Sequence, residues 1–212
     1  MKNKISLLIA ALAVAGFAQV ASATAFPTTA GLFIVDNATA ATQYVPISGG
    51  LAAYNGAIGN WSVVITTGAT INGGQNPALD LDVAATRVGT GATTLSIYYS
   101  DIGFGSSLGS YVLSTYLGTG GPVTTSAYLS TANTPFVGAL LGGSADVAGA
   151  LVINSTGPIS AQNPYALTIL EIISGSVTSM DTKLSVPDGG TTVMLLGIAL
   201  SGIGLLRKKL TA

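Results

Sequence analysis

The chain has 212 residues, only 7% of them charged, and it contains neither cysteine nor histidine. Those absences exclude disulfides, thiolate nucleophiles, zinc–thiolate sites and histidine general bases. Five of the seven basic residues, Lys2, Lys4, Arg207, Lys208 and Lys209, sit at the two ends, and over residues 24–187 two positive charges stand against seven negative, a net −5 that excludes nucleic acid as a partner.

The first element is an exported leader. Lys2 and Lys4 precede the apolar run 5–20, which ends on Ala21-Ser22-Ala23. A charged start, an apolar stretch and small residues two apart are the layout of a signal peptide read by the Sec translocon. Residues 1–23 are therefore assigned to it, with cleavage after Ala23, or secondarily after Ala25; an uncleaved anchor is the alternative.

Residues 24–185 carry short alternating runs punctuated by Gly, Asn and Pro. Strands are expected over 32–36, 43–47, 61–67, 79–87, 93–100, 111–117, 123–129, 148–153, 166–173 and 177–185, while 38–41 and 135–142 have room for a helical turn at most. The fold class is all-β, an antiparallel two-sheet sandwich, with a β-barrel or jelly roll as the alternative. Gly118-Thr119-Gly120-Gly121-Pro122 and Ser174-Gly175 are expected to close hairpins. Trp61, Val63 and Ile65 alternate inward, as do Leu79, Leu81 and Val83. The run 166–173 is apolar on both faces, with Glu171 in phase with Leu167 and Ile169, which places that strand at the centre of a sheet.

Asp80 and Asp82 share a strand face about 7 Å apart. Because Leu79, Leu81 and Val83 take the core side, the pair should face water with ordinary acidity; a calcium site or two hydrolytic carboxylates are the sharper alternatives. Tyr98, Tyr99, Ser100 and Asp101, with Phe104, Tyr111 and Tyr116, offer either a sugar-stacking surface or, preferably, core and cross-strand packing. With no histidine to act as its base, a serine nucleophile lacks a partner, and no phosphate-loop lysine occurs. No cofactor and no catalytic residue are assigned, and the chain is not expected to be an enzyme.

The last element is a tripartite tail: Val186, Pro187, Asp188, Gly189 and Gly190, then an apolar stretch over 191–206, then Arg207, Lys208 and Lys209 followed by three further residues. As a helix, 191–206 would span about 24 Å, a marginal single transmembrane crossing. The basic cluster at 207–212 would stop transfer and stay cytoplasmic by the positive-inside rule. Pro187 interrupts a preceding strand, and Gly189 with Gly190 leaves the backbone accessible to a processing enzyme. This tail resembles the VPDSG-CTERM variant of the PEP-CTERM sorting signals. Val186, Pro187, Asp188 and Gly190 fall on the motif, and Gly189 stands where the family has Ser. The resemblance implies recognition by an exosortase, a membrane-embedded cysteine transpeptidase-like enzyme of bacteria that make exopolysaccharide. A plain C-terminal anchor is the alternative.

Together these readings give an exported structural or interaction protein, transiently anchored in the inner membrane and then placed at the cell surface or in the exopolysaccharide matrix. The alternative is a carbohydrate- or calcium-binding surface module, with polysaccharide as a candidate partner.

Overall fold

Alternation of apolar side chains with Thr and Ser favours a pleated backbone with one dry and one wet face, and the absence of any sustained 3.6-residue period leaves helices unsupported. The computed structural model describes residues 25–48, 51–70, 78–91, 93–105, 107–147, 151–161 and 164–186. The signal peptide with Ala21 and Ala23, the motif residues Pro187, Asp188, Gly189 and Gly190, the 191–206 stretch, and Arg207, Lys208 and Lys209 lie outside the described residues.

In chain order the strands are β1 (Gly31–Asp36), β2 (Thr42–Pro46), β3 (Tyr54–Ile58), β4 (Trp61–Thr70), β5 (Ala78–Arg87), β6 (Leu95–Phe104), β7 (Ser107–Gly120), β8 (Val123–Ser130), β9 (Ala139–Val147), β10 (Leu151–Ala161), β11 (Tyr165–Ile173) and β12 (Val177–Ser185). They form two six-stranded antiparallel sheets, β2-β1-β6-β11-β8-β9 and β10-β7-β12-β5-β4-β3. The inner faces share one apolar core. Leu32, Ile97, Tyr99 and Ile169 of the first sheet belong to the same cluster as Trp61, Leu79, Leu113 and Leu184 of the second. Each such side chain contributes about 1.5–3 kcal/mol through burial.

The architecture is the expected sandwich, and β11 is central and buried along nearly all its length. Its outer face is dry because a second cluster covers it: Phe33, Val35, Tyr98, Tyr128, Phe136 and Leu170, with Phe26 packed alongside. Phe136 comes from the β8–β9 loop and is fully buried at a positive φ of 61°. Its N–H donates to the Ser100 hydroxyl, 3.0 Å away, which in turn donates to the Leu167 carbonyl at 3.1 Å.

Four expectations are corrected. The 118–122 and 174–175 segments do not close hairpins, since β7 and β12 lie in the second sheet whereas β8 and β11 lie in the first. Both segments are arches between sheets, and they bond to each other: Gly121 N–H donates to Ser176 O at 2.9 Å, and Ser174 N–H to Pro122 O at 2.9 Å. A Cβ on Gly121 would lie 2.7 Å from Gly175 Cα, so the arches touch backbone to backbone. The 135–142 segment, given room for a helical turn at most, contains the start of the edge strand β9, which was not expected. Strand β3 was not expected at all, and β10 runs to Ala161, well past the anticipated 153.

Candidate binding face on the second sheet

The outward positions of β5, β12 and β7 bring together residues far apart in sequence. In register, Asp82 lies opposite Asp181 and Asp181 opposite Tyr116, while the neighbouring row runs Asp80, Lys183, Ser114. The two acidic residues singled out in the sequence thus acquire a third, Asp181. Asp80 and Asp82 are half-exposed and Asp181 is exposed.

The expected ordinary acidity does not hold for Asp82. Partial desolvation, followed by the charge of Asp80, raises the Asp82 carboxyl. Asp181 is pushed up to about 6, first by partial desolvation, then by the charges of Asp80 and Asp82 and by a hydrogen bond that its protonated form donates to Asp80, with Lys183 pulling the other way. Like charges crowded on one face favour retention of a proton. Among the described residues, no group of three acidic side chains is arranged to hold a metal ion.

Beside this row the β12 ladder slips. Its register shifts between Val177 and Met180 against β5, and between Val177, Ser179 and Met180 against β7. Such a bulge breaks the alternation, so consecutive Thr178 and Ser179 are both exposed. An open groove of about 320 Å³ results, lined by Thr178, Ser179, Asp82, Ala84 and Val64 among others. Thr178 and Thr119 are joined by a hydroxyl–hydroxyl hydrogen bond, and Thr178 also donates to Thr119 O at 3.1 Å.

The aromatic residues separate cleanly. Tyr98, Tyr99, Phe104 and Tyr111 are buried, so they do not form a stacking surface; Asp101 is buried as well. Tyr116 is 51% exposed and stands on the acidic row. Sequence reasoning found Asp80 and Asp82 but not Asp181 or the groove, because both depend on β12 lying beside β5.

Two further carboxyls serve the fold. Asp36, at the end of β1, accepts from Ala38 N–H (2.9 Å), the Thr39 hydroxyl (2.9 Å), Asn60 N–H (2.8 Å) and the Thr93 hydroxyl (2.7 Å). Burial works to raise its pKa, but these donors prevail and hold it below the usual value. It ties β1 to the β3–β4 turn, where Gly59 has φ +51° and a Cβ would come within 2.1 Å of Asp36 Oδ2. Glu171 points into the core between the sheets with 0% exposure, and neither carboxyl oxygen has a hydrogen-bond partner among the described residues. Burial pushes it up to about 8, against a downward pull from Thr182 and with added pressure from Asp181 and Asp82. The Thr182 hydroxyl donates to the Thr115 hydroxyl, 3.2 Å away.

At the end of β12, Val186 is 1% exposed and belongs to the core cluster. The first residue of the tail motif is therefore built into the sandwich rather than free in an extended linker.

Residues 185–210 match the VPDSG-CTERM motif. No curated protein matches the chain. Among solved structures, the chain is similar to the K1 cleaved adhesin domain of Lys-gingipain from Porphyromonas gingivalis W83, at 10% identity over 64% of this chain and 94% of that one, with a TM-score of 0.37. It is also similar to a family 35 carbohydrate binding module from Clostridium thermocellum, at 14% identity over 65% and 98% of the two chains, with a TM-score of 0.32. A third is the enzymatically active domain of Bacteriophage CBA120 tailspike protein 4, at 12% identity and TM-score 0.34; the match covers 66% of this chain but only 21% of the tailspike chain. Scores this low leave ligand and activity to be argued from this chain's own residues.

Proposed function

We propose that the chain is an exported structural and interaction protein of the cell envelope or exopolysaccharide matrix, sorted by an exosortase-type enzyme through its C-terminal motif. The match of residues 185–210 to the VPDSG-CTERM motif carries this reading. The charge distribution supports it: an acidic sandwich lies between a leader and a tail that hold five of the seven basic residues. Such a division suits a domain that crosses the membrane while Arg207, Lys208 and Lys209 remain inside.

The tail acts on location and the sandwich on contact. Burial of Val186 leaves cleavage to act beyond it, at or after Pro187, so the product keeps its core intact. No catalytic role is assigned to the carboxylates. Asp82 and Asp181 are cross-strand neighbours on one face, with Asp80 in the next row, whereas glycoside hydrolysis places two carboxyls on either side of a bond.

Fractionation of cells producing the full chain tests the proposal, beside a variant truncated after Val186. The full chain is expected in the surface or matrix fraction, with the truncated chain released to the medium or periplasm. Full-length chain in the cytosol, leader intact, would overturn it. A second reading, a carbohydrate-binding surface module, is favoured by exposed Tyr116 beside the acidic row.

A further inference from the structure

We infer that the groove at the β12 bulge, together with Asp181 and Tyr116, is a binding site for a sugar unit of a glycan that carries no acidic groups. The inference deepens the surface-protein reading and rests on it only for the setting in which such glycans are met.

Three features select the ligand class. First, the groove is amphipathic on the scale of one or two sugar rings: Val64 and Ala84 supply apolar lining, and Thr178, Ser179 and Asp82 supply polar groups within about 320 Å³. A pyranose is amphipathic in the same way, with C–H faces and a rim of hydroxyls. Second, Tyr116 presents half its surface to solvent two strands from Asp82, with Asp181 between them in register. An aromatic face takes a sugar C–H face, and a carboxylate accepts two hydroxyls at once. Third, on these paired rows three carboxyls outnumber Lys183 and give the face a negative field, which repels uronic acids, sulfates and phosphates.

The competing occupants fit less well. A divalent cation would need the carboxyls to converge, and among the described residues no such acidic group is found. A peptide added by strand pairing needs a free sheet edge, yet β12 and β5 are interior strands paired on both sides. The bulge has a use under this reading, since a regular β12 would turn one of Thr178 and Ser179 into the core.

The test uses the full chain purified in mild detergent against an array of neutral glucans, galactans and mannans, glucosamine oligosaccharides and alginate, with hits titrated by calorimetry. Binding to a neutral or amino-sugar glycan is expected, weakened at least tenfold by Asp82→Asn and by Tyr116→Ala and unchanged by Asn55→Ala on the exposed edge strand β3. Circular dichroism of each variant confirms that its fold is retained, which the exposure of Tyr116 favours. No binding to any of these glycans, binding to alginate alone, calcium binding without glycan binding, or a hit unaffected by both variants would each overturn the site. Cell location is measured separately, so failure of the site and failure of the sorting proposal are distinguishable.

Discussion

Glu171 shows most directly how one residue couples this fold to pH. A carboxyl between two sheets without a completed hydrogen bond favours its protonated form. Its folded pKa, raised to about 8, means that the stability held below its ordinary value near 4.5 is lost as pH rises through 8. Asp181, raised to about 6, adds a loss of the same sign at lower pH, so the diagnostic window for Glu171 is pH 6 to 9. In that window Glu171→Gln should gain about 2–3 kcal/mol relative to the unmodified chain, measured by urea melts. Parallel pH slopes for the two chains would contradict this. The inward position of Glu171 was legible because strand alternation sets it in phase with Leu167 and Ile169. The third carboxyl was not legible: Asp181 lies about 100 residues from Asp80 and Asp82, and only strand order makes them neighbours.

At the scale of elements, the strands that could be read are those with alternating β-branched or aromatic residues, and the missed ones are edges. Strand β9 carries Gly142 and Gly143, which weaken any strand signal. In the fold, a Cβ on Gly142 would come within 2.2 Å of Tyr111 Oη, and Tyr111 donates from there to Leu141 O at 2.8 Å. Glycine is thus the condition for joining the two sheets at that corner. Strand β10 contains Pro158, a residue that ends an interior strand but is accommodated at an edge. The arches were mistaken for hairpins because a glycine-rich turn between two alternating runs is the same signal whether the chain stays in its sheet or crosses to the other. The β8–β9 loop acts as a lid on the first sheet, and Phe136 is its anchor. Phe136→Ala should cost about 3–5 kcal/mol in a thermal or urea melt. A loss below about 1 kcal/mol would show that the loop does not hold that face closed.

Across the whole molecule the sandwich and the tail motif were readable from sequence patterning, whereas the acidic face of the second sheet was not. Targeting signals are contiguous in sequence and must be, because they are read by membrane machinery as linear segments. A binding face on a sheet is assembled from strands in an order that local patterning does not encode. The junction between these two kinds of information is Val186, a residue of the tail motif that is also a residue of the core. Under the proposed sorting route, cleavage must therefore fall beyond Val186 to leave the core whole. Mass spectrometry of the chain recovered from the cell surface or matrix tests this most directly. The expected product begins at Thr24, retains Val186 and ends within or just beyond Pro187–Gly190. Recovery of a chain with Met1 and Ala212 both intact would contradict it.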